Sequence, residues 1–110
     1  MYMVVVIINT WWPQGVSADI GKAYIEVMKK YPADRSLYKP TITACIRASK
    51  DGMKGIAVDE VKEGKLKETL DLTYRRMLMF GDLVKELKYE IEVYMAGVEA
   101  MPMIGLKMPE

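Results

Sequence analysis

Met3-Val4-Val5-Val6-Ile7-Ile8-Asn9-Thr10-Trp11-Trp12 is the stretch that decides the fold of this 110-residue chain. Six of the seven residues from Val4 to Thr10 are β-branched, and such side chains lose rotamer freedom in a helix but pack well on a pleated sheet. Both faces of this predicted strand are apolar from Met3 to Ile8, so each face needs a cover. We therefore predict a central strand, with the chain's own helices on one face and a second sheet or a second subunit on the other.

Length and charge indicate one soluble domain, spanning residues 1–110. Sixteen Lys and Arg stand against fifteen Asp and Glu, a net charge of +1, which gives no long-range attraction for nucleic acid or an anionic membrane. The apolar opening run is about half as long as a membrane-spanning helix and lacks the features of a signal peptide. We expect a cytoplasmic protein with no nucleic-acid or membrane partner.

The chain contains no histidine and a single cysteine, Cys45. Without histidine there are no Ser-His or Cys-His nucleophile pairs, no histidine metal ligands and no usual near-neutral base. Any catalysis would have to use carboxylates, lysine, tyrosine, arginine or a borrowed cofactor. Cys45 has no disulfide partner within the chain, which fits a reducing cytoplasm, and we expect it to be a small buried residue of a strand. We predict no metal and no cofactor.

Apolar spacing predicts two amphipathic helices. The first is expected from about Ala18 to Lys30, with Ser17 as its N-cap. The second is expected from Lys65 to about Leu83, with Tyr74, Arg75 and Arg76 on its solvent side. The apolar stripes are Ile20, Tyr24, Val27 and Met28 on the first helix, and Leu66, Leu70, Thr73, Met77 and Phe80 on the second.

Alternating patterns predict three further strands, at residues 41–48, 53–61 and 87–95. Asp51-Gly52 is the turn signal of a hairpin between the first two of them. On the strand at 53–61 we expect Ile56 and Val58 to face the helices. Its other residues, Gly55, Ala57 and Asp59, are then expected on the opposite face.

The order β-α-β-β-α-β predicts an α+β fold of the ferredoxin-like type, a four-stranded antiparallel sheet with two helices on one face. This layout resembles the dimeric α+β-barrel superfamily, which includes small monooxygenase-like, muconolactone-isomerase-like and stress-response barrel proteins. The resemblance covers residues 1 to about 96, and it implies that the open sheet faces of two copies pair in a homodimer or higher oligomer. The histidine of several such enzymes has no counterpart here, so no catalytic residue is carried over. The apolar segment 98–110 is predicted to pack on a partner subunit.

Two sets of residues are candidates for a ligand site. Trp11 and Trp12 end the first strand, and Asp34, Arg35 and Tyr38 lie beyond the first helix. Two indoles, a guanidinium and a carboxylate would line a pocket for a planar or anionic ligand if these loops meet. The alternative is that the indoles pack at the end of the sheet, while Asp34 pairs with Arg35 or caps a turn.

The second set lies on the predicted open face and contains Arg47, Glu92 and Tyr94, with Asp59 and Glu90 beside them. Neighbouring carboxylates on one strand face can share a proton or hold a cation if they are buried. Paired with Arg47 across a dimer, they would instead form salt bridges between subunits.

Two functions are compatible with these patterns. One is a small-molecule protein, a binder or an enzyme, with a cavity of a few hundred Å³ between the sheet and the helices near Trp11, Trp12 and Tyr38. The other is a structural module that assembles through the open sheet face and the Met-rich tail. We favour the first, because the Trp-Trp-Pro and Asp-Arg-Ser loops carry more polar and aromatic groups than a connection requires.

Overall fold

A computed structural model describes residues 3–107 and 109 of the chain. The predicted order β-α-β-β-α-β is confirmed, and all three strand pairs are antiparallel. The sheet has the strand order β2-β3-β1-β4. The elements are β1 (Val4–Trp12), α1 (Ser17–Lys30), β2 (Tyr38–Ser49), β3 (Gly52–Val61), α2 (Leu66–Leu83) and β4 (Lys88–Met95).

The opening stretch is a central strand, as predicted, because β1 pairs with β3 on one side and with β4 on the other. Val4 and Val6 are buried, and Val6 is fully inaccessible. They form a small core with Val61, to which Leu66 and Leu70 of α2 add their side chains. The alternate residues Val5 and Ile7 therefore lie on the face that the helices leave open.

One predicted strand face is wrong. Val6 lies opposite Asp59, and Ile8 lies opposite Ala57, and residues directly opposite in a ladder share a face. Gly55, Ala57 and Asp59 therefore lie beneath the helices, while Ile56 and Val58 lie on the open face.

The error on β3 came from the register of the hairpin. The β2–β3 register shifts between Pro40 and Ile42 and again between Ile42 and Cys45; each shift reverses the facing of the residues that follow, so the two shifts cancel beyond Cys45. There Ile46 pairs with Gly55 and Ala48 with Met53, so a slip of one residue in the expected pairing placed Ile56 and Val58 on the covered face.

The two long helices cover one face of the sheet. The buried residues of α1 are Ile20, Ala23 and Val27, and those of α2 are Thr69, Thr73, Met77 and Phe80. Ser17 was predicted as the N-cap of α1, but it is the first helical residue and its hydroxyl instead accepts a hydrogen bond from Trp12 Nε1 at 3.1 Å. Trp12 therefore ties the end of β1 to the start of α1.

After β4 the chain forms a short helix, α3 (Gly97–Ala100), and a 3₁₀ turn, Met101–Ile104. Of the predicted extension 98–110, Met108 and Glu110 lie outside the described residues. Among residues 3–107 and 109, no helix is long and apolar enough to span a bilayer.

Candidate functional site

A cavity of about 320 Å³ lies between the sheet and the two long helices. Its floor is the covered face of β1 and β3, and its roof comes from α1 and α2. The mouth lies beside Thr43 to Ile46 of β2, which border the cavity but are exposed to solvent. Most of the wall is apolar; its larger side chains include Ile8, Trp12, Tyr24, Val27, Met77 and Phe80.

Small residues on β3 create this space. Gly55 and Ala57 lie on the floor, where larger side chains would fill the gap beneath the helices. A Cβ atom on Gly55 would lie 2.6 Å from Thr10 Oγ1 and 3.2 Å from the Trp12 ring. The glycine thus lets the Trp12 ring approach the backbone of β3 closely.

Gly55→Ala is expected to lower the free energy of unfolding by about 1–3 kcal/mol, because the added methyl group must displace Thr10 and the Trp12 ring. Urea denaturation measures the change. The matched control is Gly21→Ala in α1, where an added Cβ meets nothing within 4 Å and should stabilise the helix by roughly 0.5–1 kcal/mol. Equal effects of the two substitutions would contradict the close packing at Gly55.

Asp59 is the buried carboxyl group of the cavity. Its residue is only 6% exposed, and none of the described residues forms a hydrogen bond or an ion pair with it. Burial raises the pKa of Asp59 from its ordinary 3.8 to about 6, against the opposing effect of the Arg76 guanidinium. Asp59 therefore changes charge just below neutral pH.

Arg76 lies beside Asp59 and also borders the cavity. Its Nε donates a hydrogen bond to the Tyr31 carbonyl oxygen at 2.8 Å, and its guanidinium carbon lies 5.8 Å from the centre of the Tyr38 ring. Its buried Nη2 has no hydrogen-bond partner among the described residues. The prediction that Arg76 is a solvent-side residue is wrong, because two anchors hold it over the cavity.

Asp59→Asn is expected to stabilise the protein at pH 7 but not at pH 3. Because the pKa of Asp59 is raised on folding, the native state binds this proton more tightly than the unfolded state, so wild-type stability falls as the pH rises from about 4 to 6. The asparagine variant has no charge to bury, so it does not lose this stability. We expect the loss of free energy of unfolding in the wild type to be about 1–2 kcal/mol, because solvent screens part of the charge. Urea denaturation at several pH values measures the free energy of unfolding of both proteins. A difference between them that does not change with pH would contradict a buried Asp59.

The structure separates the first predicted set of site residues. Trp12 and Tyr38 both border the cavity. Trp11 lies on the opposite sheet face, where Lys54 Nζ is 5.4 Å from the centre of its ring. Asp34 and Arg35 are exposed on the loop, and Asp34 caps a turn by accepting hydrogen bonds from the Ser36 amide at 3.0 Å and its hydroxyl at 2.5 Å. These bonds lower the pKa of Asp34.

Most of the second predicted set lies on the open face. Glu92 accepts a hydrogen bond from Asn9 Nδ2 at 2.5 Å and another from the Tyr94 hydroxyl, and this second bond raises the pKa of Tyr94. Arg47 is exposed opposite Lys54. Asp59 is missing from this face, so the structure divides the set between the two sides of the sheet.

The sequence carried weak signals for the two residues that were missed. Alternate residues of a strand share a face, so Asp59 lies on the same face as Val61 and Met53. A Val61 that faces the helices therefore predicts that Asp59 faces them too. Arg76 follows Thr73 by three residues and precedes Phe80 by four, which puts it beside the buried stripe of α2.

The described residues contain neither a metal site nor a buried thiol. Within residues 3–107 and 109, no three His, Cys, Asp or Glu side chains lie close enough together to hold a metal ion. Cys45 was expected to be buried, but it is exposed. It pairs with Ile56 in the irregular half of β2, outside the cover of the helices.

Known proteins match this chain in fold and not in sequence. No protein-family model matches it, and neither does any curated protein. A dimeric ferredoxin-like protein from an uncultured marine organism aligns over 87% of this chain and 96% of its own, with a TM-score of 0.59 and 15% identity. The chain has the ferredoxin-like fold.

Two more solved structures support the ferredoxin-like assignment. Another dimeric ferredoxin-like protein from an uncultured marine organism aligns over 87% of this chain and 89% of its own, with a TM-score of 0.53 and 6% identity. The de novo designed protein Foldit4 aligns over 86% and 97%, with a TM-score of 0.55 and 16% identity. The ferredoxin-like fold hosts many activities, so function has to be argued from the cavity.

Proposed function

We propose that this protein binds a small, mostly apolar organic molecule in the cavity between the sheet and the helices. A volume of about 320 Å³ falls in the range of ordinary ligand sites. The observation that carries the proposal is Asp59, a residue that is only 6% exposed in an apolar cavity and whose carboxyl group has no bonded partner among the described residues. A buried charge of this kind costs stability, and proteins keep such groups mostly where they serve a site.

Asp59 also sets the chemistry of any reaction on the bound molecule. Its pKa of about 6 suits a group that accepts a proton near neutral pH. In a chain without histidine, a carboxyl group with a raised pKa can act as the base that histidine often provides.

A cytoplasmic location stays a prediction from the lone cysteine.

The test is an NMR titration of the ¹⁵N-labelled protein with 4-ethylphenol. Amide shifts should change saturably, with a dissociation constant on the order of 0.1–1 mM for so small a ligand. The shifts should be largest at residues around the cavity, such as Gly55, Ala57 and Tyr24. A titration without saturation, or shifts confined to the open face around Ile7, would contradict the proposal.

A second candidate function is self-association through the open sheet face. Val5, Ile7, Ile42, Ile56 and Val58 leave apolar surface there in a single chain, and a large apolar patch is costly in water. A second copy of the chain fits this face best, because two solved proteins of the same fold are described as dimeric.

The C-terminal segment belongs to the same proposal. Met103 and Ile104 are 74% and 71% exposed, and Val98 and Leu106 are about half exposed. We propose that this segment packs on the second copy, which would remove those side chains from water. Deleting residues 98–110 should then change the oligomer mass in light scattering, and an unchanged oligomer would contradict this role of the segment.

A further inference from the structure

The wall of the cavity holds one hydrogen-bond donor and one acceptor that do not satisfy each other. Arg76 is held by Tyr31 and the Tyr38 ring, which leaves its buried Nη2 without a partner among the described residues. Asp59 lies close enough for Arg76 to affect its charge, but no ion pair within 4.0 Å joins them in the described part of the chain. The two groups therefore both border the cavity without bonding to each other.

The chemistry of this pair selects the group that would fit there. A hydroxyl group can accept a hydrogen bond from Arg76 and donate one to Asp59 at the same time. A carboxylate only accepts, and it would bring a second negative charge beside Asp59; an ammonium only donates, and Arg76 would repel it. Since the charges of Asp59 and Arg76 cancel, a neutral group suits the site.

The nearby Thr73 side chain does not already serve this role. The Thr73 hydroxyl, which also borders the cavity, donates to the Thr69 carbonyl oxygen at 2.8 Å. Its proton is therefore committed to the backbone of α2. The rest of the wall offers apolar and aromatic surface, including Tyr24, Val27 and Phe80, which suits a hydrocarbon body.

We propose that the ligand is an alcohol or phenol with an apolar body, whose hydroxyl group donates to Asp59 and accepts from Arg76. This inference rests on the proposed binding function and adds the ligand's chemical class. The body of the molecule lies between α1 and the floor formed by Gly55 and Ala57. The mouth beside β2 is the route by which it enters.

The test compares three ligands of nearly equal size by NMR titration: 4-ethylphenol, 4-ethyltoluene and 4-ethylbenzoate. We expect 4-ethylphenol to bind about tenfold more tightly than 4-ethyltoluene, because a site with unpaired polar groups rejects the analogue that lacks the hydroxyl. The benzoate should bind more weakly than the phenol. Equal binding of phenol and toluene would overturn the inference while leaving an apolar binding cavity; no binding of any of the three would overturn the proposed function itself.

Two variants assign the preference to Asp59. Asp59→Leu removes the acceptor at similar size, so the preference for the phenol over the toluene should fall to about threefold or less. Asp59→Asn keeps a carbonyl acceptor and should keep part of the preference, and it serves if the leucine variant does not fold. An undiminished preference in a folded Asp59→Leu variant would contradict the assignment.

Discussion

Ala57→Phe is expected to abolish the binding of 4-ethylphenol, raising its dissociation constant by about 100-fold or more. Ala57 lies on the floor of the cavity opposite Ile8, so a benzyl group there would occupy the space that the ligand needs. Because the new side chain is apolar and enters an existing cavity, the free energy of unfolding should change little or rise. The amide-shift titration of the variant measures the loss.

The control for this variant is Ala48→Phe. Ala48 lies on the same sheet, is exposed, and does not border the cavity. This variant should bind 4-ethylphenol like the wild type. Wild-type affinity in a folded Ala57→Phe variant would show that the ligand binds elsewhere and would contradict the proposed site.

Ile7→Asp should convert the proposed oligomer into a monomer. Ile7 lies on the open face, opposite Val58 on one side and Glu92 on the other. A second copy covering this face would bury the new carboxylate next to Glu92, which costs several kcal/mol. The dissociation constant of the dimer should rise by about 100-fold or more, equal to roughly 3 kcal/mol.

Sedimentation equilibrium at tens of micromolar distinguishes the outcomes. The wild type should have twice the 12.5 kDa mass of one chain, or a larger multiple, and the variant should have the mass of one chain. The control is Ile25→Asp, at an α1 residue that is 55% exposed, which should leave the oligomer intact. A monomeric wild type, or an Ile7→Asp variant that stays oligomeric, would contradict pairing through the open face.

The sequence was sufficient for the frame of the fold. The β-branched run from Val4 to Thr10 predicted the central strand, since β-branched side chains are less favourable in a helix than in a sheet. The stripe of α1 and the clean alternation of β4 predicted their positions to within a residue or two. These elements are regular, so local periodicity carries the information about them.

The candidate site was mostly out of reach because it depends on the exact register of the β2–β3 hairpin. A slip of one residue in that pairing moves every side chain of β3 to the other face, and periodicity alone does not give the register. Asp59 was therefore placed on the open face, away from Arg76. Trp12 and Tyr38 were predicted beside a cavity for their aromatic character, but the pairing of a buried carboxyl with a guanidinium on another element arises only from the tertiary packing.

The proposed site depends most directly on Asp59 lying beneath the helices, inside the cavity. A ¹³C NMR titration of its side-chain carboxyl group, assigned by comparison with Asp59→Asn, measures this position. We expect a pKa near the raised value of about 6. A midpoint close to 4, the value of a carboxyl group in water, would place Asp59 in solvent and contradict the proposed site.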